Sequence, residues 1–305
     1  MSGPISEFLE LAGWGGAECA PLAGDASTRH YTRLRKGANS AILMAAPPED
    51  RAAFDAFLAI AFRLRDAGLS APDILSAQPV DGLMLLEDLG NQSFAAPDLP
   101  PEAWDAAVDV LIHLAREGRS WTVPHLTPSV MSGMTAIALP QDGKAAALQA
   151  MEALFQRHFT RPMVPGLRDF HAENLLWLPD RAGLARVGLL DFQDAVMAPP
   201  GYDLTSLTHD ARRDMDPDRQ AALTARYADG LGLDPVAFAT ECALLIFQRN
   251  LRILGVFRRL ARERGKPAYL THLPRVFAHV EAALTHPALR DLARAMAPLM
   301  PGLAP

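Results

Sequence analysis

Two neighbouring stretches decide the fold of this chain: LRDFHAEN at residues 167–174 and LLDFQD at residues 189–194. Between them the sequence PDRAG (179–183) has turn chemistry. The runs on either side of that turn, 175–178 and 185–190, are short and mostly apolar, as in buried strands. We therefore predict a β-hairpin that joins the end of the first stretch to the start of the second.

The register of this hairpin brings two polar side chains together. A turn at 179–183 pairs residues whose numbers sum to about 365, to within a residue or two, so Asn174 is predicted to lie beside Asp191 at the open end. An amide oxygen and a carboxylate in that position suit Mg²⁺, which takes few protein ligands and leaves its other positions to phosphate and water. Asp169 lies five residues before Asn174, in the loop that enters the same hairpin.

These three residues match the needs of phosphoryl transfer. One carboxylate serves the nucleophilic hydroxyl, while an Asn and an Asp hold metal on the phosphates of a nucleotide. The pattern Asp-x-x-x-x-Asn alone is weak, since about one match is expected by chance in a chain of this length. The hairpin and the strands before it make the pattern more specific. In the alternative interpretation, Asp169 and Asn174 are turn residues and Asp191 ends a strand.

The rest of the chain has a strand-rich first part and a helical second part. Strands are predicted at 17–22, 29–35, 40–45, 73–75 and 82–86, and one helix opens at Pro47 and ends before Gly68. Further helices are predicted at 102–117, 143–158, 216–231, 235–264, 270–284 and 287–297. The expected class is α+β with two lobes: an antiparallel sheet and one helix over residues 1–90, and a larger, mainly helical lobe over residues 91–305 that carries the hairpin.

Composition and charge exclude several classes of protein. The chain has 305 residues, 50% of them apolar, and its net charge of −6 gives no overall field that would attract nucleic acid. The two cysteines, Cys19 and Cys242, form no zinc motif or disulfide framework. The N-terminus lacks a signal-peptide pattern and no apolar run reaches about 18 residues. We expect a cytoplasmic protein with no nucleic acid or membrane as partner.

With these motifs the chain resembles the protein-kinase-like phosphotransferases, and in particular the aminoglycoside phosphotransferase family. The 167–174 stretch resembles the catalytic loop, and the 189–194 stretch resembles the metal-binding strand end. Further stretches resemble the bacterial amino-sugar kinase branch: GDASTRHY (24–31), MAAPP (44–48), LEDLG (86–90), YDL (202–204) and DARRD (210–214). That branch phosphorylates the anomeric hydroxyl of N-acetylmuramate and N-acetylglucosamine in cell-wall recycling.

The resemblance implies ATP and Mg²⁺ as cofactors and a role for several residues. Asp169 is the expected catalytic residue, and Asn174 and Asp191 are the expected metal ligands. The loop at 24–28 can turn backbone N–H groups toward phosphate oxygens, although taken alone it could be an ordinary hairpin turn. The expected nucleotide-binding residues are Gly24, Asp25, Ser27, Thr28, Arg29, Glu87 and Leu89. The last two are expected to pair with adenine through their backbone.

The third strand lacks the lysine that protein kinases place there. The run AILM (41–44) is apolar, and Lys36, in a predicted turn, is the only lysine of the first lobe. Either an arginine such as Arg29 or Arg33 neutralises the nucleotide phosphates, or metal ions do more of that work. Gln193 stands where protein kinases have glycine, which small-molecule members of the superfamily do not require.

The short distance from Asp191 to Asp203 predicts a small-molecule acceptor. Only eleven residues intervene, too few for an activation loop that could hold a peptide. Asp203 resembles the family residue that holds the catalytic loop in place, and it could also cap the helix that follows. Asp194 is either a second metal ligand or a solvated side chain. His171, inside the catalytic loop, is a candidate substrate contact.

The helix at 240–260 carries two more candidate substrate residues. It is apolar nearly all round, which indicates burial, but Arg249 and Arg252 interrupt it. A buried guanidinium needs a partner, which is either a carboxylate such as Asp203 or Asp210 or an anionic group of a ligand. The helix and the residues just after it hold seven basic and two acidic residues, a local charge of +5. Such a surface would repel a polycationic aminoglycoside but not a neutral or acidic sugar.

The sequence therefore supports one main hypothesis and two alternatives. The main hypothesis is an ATP- and Mg²⁺-dependent amino-sugar kinase. The first alternative keeps the same chemistry but uses an aminoglycoside, a choline-like molecule or another small alcohol. The second alternative, motivated by the absent lysine, is a catalytically degenerate kinase fold that acts as a binding module.

Overall fold

The computed structural model describes residues 3–22, 28–117 and 121–304. Within them the strands are β1 (Glu18–Pro21), β2 (His30–Lys36), β3 (Asn39–Ala45), β4 (Ile74–Gln78), β5 (Leu83–Glu87), β6 (Val164–Gly166), β7 (Leu175–Trp177), β8 (Val187–Leu189) and β9 (Val196–Ala198). The α-helices are α1 (Gly3–Leu11), α2 (Arg51–Asp66), α3 (Pro101–Glu117), α4 (Pro128–Thr135), α5 (Lys144–His158), α6 (Tyr202–Thr208), α7 (Pro217–Leu231), α8 (Pro235–Glu263), α9 (Leu273–Leu284), α10 (Arg290–Met296) and α11 (Met300–Leu303). This composition confirms the predicted α+β class.

Strands β1 to β5 form one antiparallel sheet in the order β1-β2-β3-β5-β4. The first three strands pair in sequence order, and β2 turns into β3 through a tight connection in which Gly37 has a φ of +61°. Strand β5 then pairs with β3, which places the segment that follows β5 beside the middle of the sheet. All five strands overlap the predicted ones, although β4 runs to Gln78, beyond its predicted end at residue 75.

Two helices belong to this first part of the fold. The predicted helix is α2, whose buried residues recur at helical spacing. It ends just before Gly68, and this glycine has a φ of +75°. Helix α1 was not predicted from the sequence. Its Phe8 and Leu9 are buried in one cluster with sheet residues such as Leu34 and Leu85, so the sheet gains an additional apolar cover.

The chain divides into two compact units, Met1–Ala106 with Ala172–Asp194, and Ala107–His171 with Ala195–Pro305. The β7–β8 hairpin belongs to the first unit because its backbone bonds there. The N–H of Leu189 donates to the carbonyl of Ser70 (2.8 Å), and the N–H of Phe94 donates to the carbonyl of Leu175 (2.9 Å). The hairpin was predicted in a lobe beginning at residue 91, since pairing between such distant segments leaves no local signal in the sequence.

Helix α8 lies at the centre of the second unit's core. Its apolar side chains form one buried cluster with residues of α4, α5, α6, α9 and α10. The predicted burial of this helix nearly all round is confirmed. At Gly255 a β-carbon would come within 2.7 Å of the backbone of Ala138, so only glycine fits that approach. In the described part of the chain no helix is long and apolar enough to cross a membrane.

Candidate active site

The hairpin has a register one residue away from the predicted one. Leu175 pairs with Leu189, so paired numbers sum to 364 rather than to 365. The cause lies in the connection, where Gly183–Arg186 form a 3₁₀ turn that the sequence analysis did not include. The N–H of Leu178 donates to the carbonyl of the last residue of this turn (2.8 Å), which fixes the shorter sum.

Asn174 consequently lies opposite Leu190, and Asp191 is the next residue along the chain. The N–H of Leu190 donates to the carbonyl of Asn174 (3.0 Å). Asp191 has a φ of +55°, in the left-handed region, which takes its side chain out of the alternation of the strand. Both side chains therefore belong to the same end of the hairpin, although they are not direct cross-strand partners.

The surroundings of Asp191 hold its carboxylate at an accessible position. Phe192 is fully buried and stacks on Phe57 of α2, with ring centroids 4.7 Å apart. The side-chain amide of Gln193 donates to Asp191 Oδ1 (2.8 Å), and Arg29 Nη1 lies 4.0 Å from the same oxygen. The Asp191 side chain remains 46% exposed. Burial of the neighbouring phenylalanine thus places a carboxylate that a ligand can reach.

The donor set at this end of the hairpin fits Mg²⁺. Over the described residues no group of three or more His, Cys, Asp and Glu side chains is positioned to hold a metal ion. Asn174 and Asp191 instead offer an amide oxygen and a carboxylate, hard ligands of the kind that Mg²⁺ takes together with phosphate and water. Asp194 is exposed.

The place of the absent lysine is taken by apolar packing. In β3, Met44 is fully buried and pairs with Tyr31 of β2. Lys36 is not near this position, because its Nζ donates to the carbonyl of Gly13 (2.9 Å). Arg33 is occupied as well, since its Nη2 donates to Asp88 Oδ1 and to the carbonyl of Gly90, both at 2.9 Å.

Arg29 is the cation of this group that lies beside Asp191. Its side chain is only 8% exposed, and it hydrogen-bonds the hydroxyl of Tyr31. Burial raises the pKa of Tyr31, and the charge of Arg29 partly offsets that rise. A buried guanidinium next to an exposed carboxylate can contact the anionic part of a ligand bound at the hairpin.

The segment after β5 is held by contacts within the first unit. The N–H of Glu87 donates to the carbonyl of Asp73 (2.8 Å), and the Glu87 carboxylate forms an ion pair with Arg181. Leu89 is buried in a small cluster with Leu176 of the hairpin. Because the Glu87 N–H is already bonded, pairing of adenine with this residue would use its carbonyl.

The predicted phosphate loop can be followed only in part. Gly24, Asp25 and Ser27 lie outside the described residues. Thr28 is exposed, and its hydroxyl donates to the carboxylate of Asp50.

The catalytic loop belongs to the second unit, up to His171. Arg168 has a φ of +73°, and over the described residues only Asp191 shares this region among non-glycine residues. The carboxylate of Asp203 accepts hydrogen bonds from the N–H groups of Leu167 and Arg168, the latter at 3.0 Å. Asp169 is partly buried and follows directly. The backbone before this candidate catalytic residue is thus held by a buried carboxylate.

Asp203 is not a helix cap. Helix α6 begins at Tyr202 with Gly201 as the cap residue, at a φ of +91°, so Asp203 lies inside the first turn. The additional capping role predicted for Asp203 is therefore wrong, because its side chain bonds the backbone of the catalytic loop instead. Burial raises the pKa of Asp203 to about 6, although the two N–H donors and the charge of Arg249 lower it.

His171 is neutral at neutral pH. Burial and the charge of the Arg212 guanidinium lower its pKa to about 4, although Asp210 and Asp169 act in the opposite direction. A neutral imidazole can donate or accept a hydrogen bond but adds no charge to the loop. His171 therefore offers a hydrogen bond beside Asp169 but no net charge.

Arg249 is satisfied by groups of the chain itself. It is 6% exposed, its Nη1 donates to the carbonyl of Arg168 (3.1 Å), and its Nη2 donates to the hydroxyl of Ser206 (2.5 Å). Its guanidinium also lies over the ring of Tyr202, 4.9 Å from the centroid. This geometry favours a supporting role at the catalytic loop over a contact with substrate. Arg252, one turn later, is partly buried.

Two residues in these contacts were missed by sequence reasoning. Arg181 pairs with Glu87 across 94 residues, and Ser206 accepts from Arg249 across 43 residues. A serine within a helix and an arginine within a turn are common surface residues. No local pattern marks them, because the partner is brought close only by the tertiary fold.

Comparison with protein families and curated proteins gives consistent matches. A model described as the phosphotransferase enzyme family matches residues 18–241. An N-acetylmuramate/N-acetylglucosamine kinase of Caulobacter vibrioides is 38% identical, and the alignment covers 93% of this chain and 93% of that protein. An enzyme of the same name from Pseudomonas aeruginosa is 30% identical, with 98% of this chain and 94% of that protein covered.

Solved structures share the fold at low sequence identity. A choline/ethanolamine kinase family protein of Mesorhizobium loti aligns with a TM-score of 0.65 at 16% identity, over 96% of this chain and 97% of that one. A choline kinase of Streptococcus pneumoniae aligns with a TM-score of 0.64 at 12% identity, over 94% and 98% of the two chains. These similarities show a protein-kinase-like fold.

Proposed function

Because the chain belongs to the phosphotransferase enzyme family, we propose that it transfers the terminal phosphoryl group of ATP to an amino sugar, N-acetylmuramate or N-acetylglucosamine. The family and the kinase class predicted from the catalytic loop are confirmed. The observation that carries the choice of acceptor is the full-length similarity to relatives of that name, from two different bacteria.

In the proposed mechanism the first unit binds the nucleotide. Asn174 and Asp191 would hold Mg²⁺, which when bound neutralises charge on the phosphates. Arg29 contributes a buried positive charge beside Asp191, at 4.0 Å, and takes over the electrostatic task of the absent lysine. The backbone of Glu87 and Leu89 pairs with adenine.

The remaining nucleotide contacts are assigned to the loop before β2. Gly24, Asp25, Ser27 and Thr28 supply N–H groups to the phosphates in this proposal. Asp194 serves either as a further metal ligand or as a solvated side chain, and its exposure is compatible with both.

Asp169 acts on the acceptor. Its carboxylate orients the sugar hydroxyl and accepts the proton as the oxygen bonds the terminal phosphorus, whose bond to the bridging oxygen breaks so that ADP leaves. Asp203 keeps the loop in position, since its carboxylate bonds the N–H of Arg168, next to the catalytic residue, at 3.0 Å. His171, as a neutral side chain in the same loop, supplies a hydrogen bond to the sugar.

The charge of the second unit favours a neutral or acidic acceptor. Arg168, Arg249 and Arg252 all act electrostatically around Asp169, since the two other arginines lower the pKa of Arg252 and the carboxylate raises it. An aminoglycoside or a choline-like amine would meet these cations with charge of the same sign. We also propose that the enzyme works in the cytoplasm, where ATP and a soluble sugar are both available.

The test is an acceptor screen with purified protein, ATP and Mg²⁺. ADP release should be rapid with N-acetylmuramate or N-acetylglucosamine and weak with kanamycin or choline. Omission of Mg²⁺ or the substitution Asp169→Asn should abolish most of the turnover. Faster turnover of an amine than of either sugar would refute the proposed acceptor. A thermal shift with nucleotide but no turnover of any acceptor would instead support a binding module.

A further inference from the structure

Arg252 has no hydrogen-bonding partner in the described part of the chain. It lies on α8 one turn after Arg249, so the two side chains leave the helix on the same side. Both Nη atoms of Arg249 are bonded to groups of the chain. The guanidinium of Arg252, in contrast, takes part in no hydrogen bond or ion pair among the described residues, although it is partly buried.

A second polar group in the same place is also unsatisfied. The hydroxyl of Tyr202 is buried and has no hydrogen-bond partner among the described residues. Its ring lies under the guanidinium of Arg249. Buried polar groups in folded proteins are nearly always paired, so an unpaired one suggests a missing water, ion or ligand. Two such groups, Arg252 and Tyr202, together indicate that a bound molecule supplies the missing hydrogen bonds here.

The charged neighbours of Arg252 indicate which kind of ligand it would bind. Burial lowers the pKa of Arg252, and the charges of Arg168 and Arg249 also lower it. Tyr202 and Asp169 act in the opposite direction and raise it. The guanidinium therefore lies among two other cations and within reach of the field of the candidate catalytic carboxylate. A half-buried cation in such surroundings gains most from an anion that offers paired oxygens, as a carboxylate does.

We propose that Arg252 binds the carboxylate of an acidic amino-sugar acceptor and so determines the preference for N-acetylmuramate over N-acetylglucosamine. This inference rests on the proposed function. N-acetylmuramate carries a lactyl ether with a carboxylate, which N-acetylglucosamine lacks, and the two sugars are otherwise alike. A group that recognises only the carboxylate changes the affinity for one sugar and leaves the chemical step untouched.

The experiment measures kcat and KM for both sugars at saturating ATP in Arg252→Gln and Arg252→Lys. Loss of a charge-assisted hydrogen bond should raise the KM for N-acetylmuramate about 10- to 100-fold in the glutamine variant. The KM for N-acetylglucosamine and both kcat values should stay within about threefold, because the neutral sugar makes no such contact. The lysine variant should recover part of the loss. Arg262→Gln, at an exposed position of the same helix, is the matched control and should change neither sugar.

A second measurement needs no variant and covers the case in which Arg252→Gln fails to fold. The wild-type enzyme should bind the methyl ester of N-acetylmuramate about tenfold more weakly than the free acid. Equal KM changes for both sugars, or equal affinity for ester and acid, would overturn the inference. A fall in kcat for both sugars would do the same, by placing Arg252 on the transferred phosphoryl group. If the wild type phosphorylates neither sugar, the proposed function itself fails.

Discussion

Replacing Arg29 by glutamine tests how this enzyme works without the third-strand lysine. The substitution removes the cation that lies 4.0 Å from Asp191 and leaves a shorter, neutral polar side chain. If Arg29 contacts the nucleotide phosphates, the KM for ATP should rise while the KM for the sugar stays the same. If Arg29 only balances the charge of Asp191, neither constant should change much.

The two possible roles of Arg29, phosphate contact and charge balance of Asp191, differ in the size of the expected effect. Two unit charges about 4 Å apart interact by about 4 kcal/mol at an effective dielectric constant of about 20. The Asp191 side chain is 46% exposed, so solvent reduces the pair to about 1 kcal/mol or less. A guanidinium bonded to phosphate is worth about 1.5–3 kcal/mol. The second value corresponds to a rise of about 10- to 150-fold in the KM for ATP.

The assay is steady-state kinetics with ATP and sugar varied separately. Arg29→Lys retains the charge and should recover part of the loss, although it lacks the planar fork of the guanidinium. Arg35→Gln, at an exposed position of β2, is the control and should behave as the wild type. A contact of Arg29 with the phosphates is excluded if Arg29→Gln leaves the KM for ATP within twofold, or if Arg35→Gln raises it equally.

Three further predictions concern the other carboxylates and the amide. Asp169→Asn should lower kcat by about 10² to 10⁴ with ATP binding unchanged, and a loss of only a few-fold would remove Asp169 from the chemical step. Asn174→Ala and Asp191→Ala should weaken nucleotide binding much more in the presence of Mg²⁺ than in its absence; equal losses in both titrations would contradict a metal role. The raised pKa of Asp203, about 6, means that its contribution to the free energy of unfolding is present below pH about 4 and lost as pH rises through 6. Asp203→Asn should remove this decrease, so between pH 4 and 6 the free energy of unfolding of the variant should fall less, or rise more, with pH than that of the wild type. Urea titrations measure it, and the same pH dependence in both proteins would contradict the assignment.

Local patterns were sufficient to predict most of the secondary structure. Alternating and apolar runs gave all five strands of the sheet, and helical spacing with Gly68 as a stop gave α2. The hairpin at 175–189 was found from its turn residues and its two short strands. These features depend on neighbours in sequence, which is why a single sequence carries them.

The features that were missed depend on contacts distant in sequence. Helix α1 is short, and its stability comes from the burial of Phe8 and Leu9 on the sheet rather than from a strong helical pattern. The register error arose because a 3₁₀ turn at Gly183–Arg186 takes up residues that the sequence analysis assigned to a strand. The partner of Arg249 was expected to be a carboxylate or an anionic group of a ligand, whereas its guanidinium bonds a carbonyl and a hydroxyl.

The conformation of Arg168 explains why a carbonyl is the partner. A left-handed residue that is not glycine costs about 1–2 kcal/mol, and at a φ of +73° Arg168 is such a residue, directly before Asp169. Its N–H donates to Asp203 Oδ1 at 3.0 Å and its carbonyl accepts from Arg249 Nη1 at 3.1 Å. Hydrogen bonds to charged groups contribute about 1.5–3 kcal/mol each, enough to offset that cost. Asp203 and Arg249, both buried, thus act on the backbone of one residue, and through it they fix the direction in which the loop presents Asp169.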